Sequence, residues 1–267
     1  MGSIYWLANR SIDGPAYQQD EIGYLINAAF LSGRAVDGFS SYHAGYSLLL
    51  APLFVLLNSP EHVWAGVKVV NALLWSGAFL ALASLLEAYF PEATERQRFA
   101  ALVVAAAYPA WVSMAGYAFS QSAFVFVFLL SVLTLERWTS SRPFSVVPHS
   151  FLVAYLFWIH PTALGVIIAS FTIVGLVSWR ERRGVGLCVH VVLVLTLLAA
   201  YKLGIQPWMA ERMTPAGYQP RVHYPGIEAV IERWTNFGFW RDWVLVMIGQ
   251  YSYLAIAMLG AFIFALD

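Results

Sequence analysis

Residues 144–179 read FSVVPHSFLVAYLFWIHPTALGVIIASFTIVGLVSW, and the polar tetrapeptide Arg180-Glu181-Arg182-Arg183 follows directly. One membrane crossing takes about 20 apolar residues, so this run is too long for a single helix across a bilayer. His160-Pro161 lies near its middle, and proline biases the residue before it away from helix. The run therefore divides into crossings over 144–159 and 161–179. Two apolar helices back to back, with no Asp, Glu, Lys or Arg inside, predict an all-α polytopic membrane bundle.

Working outward, 185–204 reads as a further crossing, 205–243 as a polar, proline-containing loop and 244–266 as a last crossing. Toward the N-terminus, 119–135, 99–115 and 64–86 have the same apolar character. The segment 43–58, HAGYSLLLAPLFVLLN, is short for a crossing and contains Pro52. Composition agrees: 60% of residues are hydrophobic and 11% are charged, against about a quarter charged in soluble domains. Mean hydropathy is +0.66. A net charge of zero removes the long-range field that nucleic acid would attract. The single cysteine, Cys188, excludes an internal disulfide framework.

Arginine placement predicts sidedness. Arg96, Arg98, Arg137, Arg142, Arg180, Arg182 and Arg183 are seven of the fifteen Lys and Arg, and all lie in the short loops after Leu86, Glu136 and Trp179. Short basic loops stay in the cytoplasm. The parity of crossings then makes 43–58 an interfacial or re-entrant helix and puts 1–62, the turns near 116 and 160, and 205–243 on the outer face. The expected organisation is an outer segment 1–62, core crossings in 63–204, an outer loop 205–243 and a last crossing in 244–267, about seven crossings in all. Residues 1–7 lack the basic flank and apolar core of a secretory signal. A polar segment ahead of the first crossing is thus either exported as a tail or preceded by a further helix.

Candidate chemistry collects on the predicted outer face. Asp20-Glu21 precedes an apolar-periodic run, as first-turn acids of a helix do, and adjacent carboxylates also serve as a general base or hold a metal. Lys68 sits four residues into the 64–86 crossing, where an ionisable residue marks a site or snorkels to the interface. Lys202 is open to the same two readings. His43, His160 and His223 map to the same face. With Asp20 and Glu21 they supply metal-ligand types without a metal-site spacing, His43 being the histidine placed nearest the acids. Tyr117, Ser120 and Gln121 occupy an outer turn and can hydrogen-bond a sugar, or pack the turn. His62, His149 and His190 read as structural.

In order, these features resemble the GT-C superfamily of membrane glycosyltransferases, specifically the protein mannosyltransferase and lipid A aminoarabinose transferase families. The resemblance runs over about residues 15–204: DEIGYLINAAFLSG with Tyr24, HAGYSLLLAPLF, Lys68 at the start of a crossing, AAAYPAWVSMAGYAFSQSAF, and WIHPTAL. It implies transfer of a sugar from a polyprenyl-phosphate donor to a lipid, glycan or protein acceptor, outside a bacterial or archaeal plasma membrane. It casts Asp20 as base, Glu21 as its neighbour in orienting the site or holding a divalent cation, and Tyr24, His43, Lys68, Gln121, His160 and His223 as substrate-binding residues. The chain departs from the pattern in three places. Ser41 or His43 stands where those families have a basic residue, Gln121 where they have an acid, and His160 where they have Arg or Lys. The competing class is a non-catalytic scaffold or assembly subunit. A transporter fits less well, because paired charges near the midplane are missing from the spans.

Overall fold

The computed structural model describes residues 2–15, 19–36, 38, 40–140, 145–213, 236, 238 and 241. All secondary structure among them is helical: α1 (Gly2–Ala8), α2 (Gln19–Leu31), α3 (Ala44–Leu56), α4 (Pro60–Tyr89), α5 (Glu95–Ala106), α6 (Pro109–Met114), α7 (Gln121–Thr139), α8 (Val146–Ile159), α9 (Leu164–Arg180), α10 (Gly184–Ala199) and α11 (Gln206–Met213). A 3-10 turn, Pro161–Ala163, joins α8 to α9, and a π turn, Ala200–Ile205, joins α10 to α11. Four helical segments are long and apolar enough to cross a membrane: Pro60–Tyr89, Gln121–Thr139, Pro161–Arg180 and Gly184–Met213. The chain is therefore an all-helical protein of membrane character.

Local sequence sets the ends of these helices. α4 starts with proline at its first position, where the missing N–H costs nothing, and the Ser59 hydroxyl accepts from His62 N at 3.2 Å. Thr94 and Gln97 form a reciprocal capping box at the start of α5. α2 ends at Gly33, whose φ of +84° only glycine adopts without strain, and Arg34 N returns to Ala29 O at 3.1 Å.

Small residues bring the helices together, as membrane packing requires. A Cβ on Gly77 would lie 2.5 Å from the Phe126 ring, so α4 and α7 approach through that position. A Cβ on Gly45 would lie 2.5 Å from the Trp158 carbonyl carbon and 2.6 Å from Ile159 N, so α3 crosses the end of α8 almost backbone to backbone. Between them, the polar side chain of Asn71 is fully used: Tyr46 OH donates to Oδ1 at 2.8 Å, and Nδ2 donates to the Ala115 and Tyr117 carbonyls at 3.2 and 2.7 Å. That one residue ties α4 to α3 and to the turn before α7. α1 docks on α4 through Tyr5, whose ring stacks on Trp75 and Phe79 at 5.7 and 5.9 Å.

The elements differ from the sequence expectations in three places. The continuous crossing expected over 99–115 is two helices, because Pro109 holds Tyr108 at φ −62°, ψ 115° and ends α5. Residues 205–213, expected as the start of a loop, are helical, since helix continues to Met213. The opening stretch expected as outer loop contains two helices, α1 and α2. The division at His160-Pro161 is present: His160 is extended, at φ −156°, ψ 138°, and helix resumes after it. The expected crossing over 244–266 and most of the 205–243 loop, His223 included, lie outside the described residues.

Candidate functional site

Asp20 and Glu21 occupy the first turn of α2, where the aligned peptide dipoles favour negative charge. Neighbours on a helix point about 100° apart, and the two acids part accordingly: Asp20 is exposed and Glu21 is wholly buried. The Tyr42 hydroxyl donates to Asp20 Oδ1. Its ring reaches that position only because residue 23 is glycine; a Cβ there would sit 2.1 Å from Tyr42 Cδ2. Burial, and then the Asp20 carboxylate, push the Tyr42 hydroxyl up to about 12, so it stays a donor at neutral pH. Glu21 turns inward, and its Oε1 accepts from Ala118 N at 3.2 Å. Tyr24 is buried beside it, donating to Ser120 Oγ at 2.9 Å.

His160, at the break between α8 and α9, comes into the electrostatic range of Asp20. Burial lowers the His160 imidazole below its usual value, and Asp20 pulls it back up. Its Nδ1 accepts from Thr162 N at 3.3 Å, which leaves Nε2 carrying the proton of the neutral ring. His160 therefore offers an N–H donor. His43 offers the reverse. Its Nδ1 lies against the Phe157 carbonyl, which can only accept, so Nδ1 holds the proton and Nε2 is a bare acceptor. Burial lowers this imidazole too, with Lys202 and His160 acting in the same direction.

Lys68 is buried and committed elsewhere. Its Nζ donates to the carbonyls of Ile12 and Arg10 at 2.9 and 3.3 Å, and Trp64 Nε1 donates to the same Ile12 oxygen at 2.9 Å. The ammonium thus fastens the connection between α1 and α2 to α4. Lys68→Met is expected to cost about 1.5–3 kcal/mol through the loss of its charge-assisted hydrogen bonds to Arg10 and Ile12 and to speed tryptic cleavage after Arg10. An unchanged cleavage rate would show that the ammonium does not hold this connection.

Lys202 in the π turn is exposed and sits over the Phe157 ring at 5.3 Å. Tyr201 beside it accepts from Ala44 N at 2.9 Å, fixing the turn to the start of α3. The structure therefore gathers Asp20, Tyr42, His43, His160 and Lys202 where the starts of α2 and α3 meet the ends of α8 and α10. Gln121, the first residue of α7, is exposed next to Ser120. Among the described residues no three His, Cys, Asp or Glu group as metal ligands, so Asp20, Glu21 and His43 do not form the metal cluster their types allowed. Tyr42 was not singled out by sequence, since nothing local distinguishes it from Tyr46. Lys202 carried the same sign as Lys68, an ionisable residue near the end of an apolar helix. Compared with known proteins, the sequence matches no family model and no curated protein.

Proposed function

We propose that this protein transfers a sugar from a polyprenyl-phosphate donor to a hydroxyl acceptor, with Asp20 as general base. The observation that carries the reading is an exposed carboxylate, oriented by Tyr42 and within electrostatic reach of His160, at a junction of four helices. In the reaction the acceptor oxygen bonds to the anomeric carbon while the bond to phosphate breaks. The acceptor proton passes to Asp20, and the lipid phosphate leaves with the bonding electrons. His160 donates an N–H to the departing phosphate and Lys202 offsets its charge, while two of the three Lys68 donors go to the Arg10 and Ile12 carbonyls. The resemblance in element order and in the Asp-Glu-containing segment supports the sugar-phosphate class.

The same reading proposes about seven crossings, α3 lying at the outer interface, and the Asp20 end outside the cell. Impermeant thiol reagents should label Asp13→Cys and miss Arg182→Cys in a Cys188→Ser background; the reverse labelling overturns the topology. For the reaction, the purified full chain is mixed with a panel of labelled polyprenyl-phosphate sugars and candidate acceptors. Release of polyprenyl phosphate with loss of the sugar is expected for one donor, and failure with every donor counts against the enzyme. A scaffold is the second reading. It is favoured by Glu21 and Lys68, both of which serve backbone groups of this chain.

A further inference from the structure

Away from the Asp20 end, α7, α8, α9 and α10 meet around two buried histidines. His149 and His190 are 2% and 0% exposed, and their rings stack at 5.3 Å. They belong to a single file of polar atoms. His149 Nδ1 contacts the Ser131 carbonyl at 2.9 Å, and Nε2 contacts Ser170 Oγ at 2.7 Å. Ser170 Oγ contacts His190 Nε2 at 3.1 Å, and His190 Nδ1 contacts Ser150 Oγ at 2.9 Å. Ser150 Oγ ends the file on the Val146 carbonyl at 2.6 Å. All five distances are those of hydrogen bonds.

Counting protons gives this file its meaning. Both ends are carbonyl oxygens, which only accept, so each of the five contacts needs a proton from a side chain. Two neutral imidazoles and two hydroxyls bring one apiece, four in all. The neutral file therefore leaves one contact with two lone pairs opposed, wherever the tautomers place it. One additional proton fills every contact at once. We propose that His149, Ser170, His190 and Ser150 form a site for a single proton, held as an imidazolium shared along the file between two carbonyl caps. The bound species is one proton taken from water, and the step involves no other bond.

The surroundings make the file, rather than a counter-ion, responsible for holding the charge. α7 faces it with the Ser131 carbonyl, α8 with His149 and Ser150, α9 with Ser170 and the edge-on ring of Phe171, and α10 with His190. The titratable groups facing it among the described residues are the two rings themselves. Glu136 and Arg137 at the end of α7, Arg180 at the end of α9 and Arg183 before α10 take no part in its hydrogen bonds, and Cys188 is exposed. A buried charge without a partner is costly. Here it is spread over a continuous chain of hydrogen bonds that polarise one another. His149 is three residues past the start of α8 and His190 six past the start of α10, so the site is about 5–10 Å in from that end of the bundle.

The test uses the full chain, with ¹⁵N-labelled histidine, in lipid nanodiscs. The two rings are assigned by His149→Gln and His190→Gln, and their nitrogen resonances are followed against pH while circular dichroism monitors the helices. Both rings should move in one common step with uptake of one proton per chain. Ser150→Ala removes two contacts and one proton, leaving three contacts and three protons, a file already complete when neutral. Its step should lie at least about one pH unit lower, a tenfold weaker proton affinity. Ser150→Thr should keep the step, and so should Ser178→Ala, which removes a buried hydroxyl outside the file. Two separate steps, no step over the pH range in which the helices persist, or an unmoved step in folded Ser150→Ala would each overturn the proposal. Should Ser150→Ala not fold, the common one-proton step in the unaltered chain decides the matter.

Discussion

The proposed sugar transfer is expected to fall by about 100- to 10,000-fold in the Asp20→Asn protein, the contribution of a positioned general base. Asparagine preserves the shape of the side chain and still accepts from Tyr42 OH, so the start of α2 keeps its anchor. What it loses is the ability to take a proton. Asp20 is exposed, so the variant should insert like the parent and lose at most about 0.3–1 kcal/mol of stability, the gain of a first-turn charge from the helix dipole. Turnover of the polyprenyl-phosphate donor is the measurement, made on the full-length chain, with thermal unfolding alongside. Tyr42→Phe supplies the graded comparison. It leaves the carboxylate and removes its orienting donor, so its loss should be smaller than that of Asp20→Asn. Full turnover in a folded Asp20→Asn protein would remove Asp20 from the reaction and favour the scaffold.

The largest effect on stability is expected at Gly45. The atoms that an added Cβ would meet belong to the backbone of Trp158 and Ile159, which cannot rotate aside. Even Gly45→Ala must push α3 off α8 and stretch the 2.8 Å bond from Tyr155 OH to the Gly45 carbonyl. Overfilling a tight contact costs about 1–3 kcal/mol, and a rigid partner puts this position at the upper end. Thermal unfolding in detergent should show a clear fall for Gly45→Ala and none for Gly165→Ala, where no atom lies within 4 Å. Equal behaviour of the two variants would mean that the crossing is looser than drawn. Because Gly45 follows the Ala44–Tyr201 bond and His43, the same displacement should disturb the Asp20 end.

What could be read from the sequence was whatever depends on residues close together along the chain. The run 144–179 announces two helices through its length and His160-Pro161, and the structure breaks there. Tyr108-Pro109 carried the same signal inside 99–115, but the apolar run masked it, and the helix ends there too. Asp20 and Glu21 were legible as a first-turn pair, whereas their opposite fates depend on what α2 packs against. Lys68 shows the limit most clearly. Its type and depth marked a site, yet its partners are two carbonyls more than fifty residues earlier. The histidine file is legible only in three dimensions, because its members come from four helices and each alone resembles ordinary packing.

The two thirty-residue helical segments, Pro60–Tyr89 and Gly184–Met213, bear on where the proposed lipid-linked donor would meet the protein. At 1.5 Å per residue each is about 45 Å long, while the hydrocarbon of a bilayer is about 30 Å thick. Tilt absorbs part of the difference, and the remainder has to stand clear of the acyl chains. In the second segment the surplus falls naturally on the stretch after Lys202, which carries Glu211 and Arg212. Lys202 would then stand at the height of the lipid headgroups, with α11 as a low parapet above it. A prenyl chain could stay dissolved among its neighbours while only its phosphate rose to the protein. Shortening the second segment by one turn would lower that rim by about 5 Å and bring the lysine down toward the acyl chains.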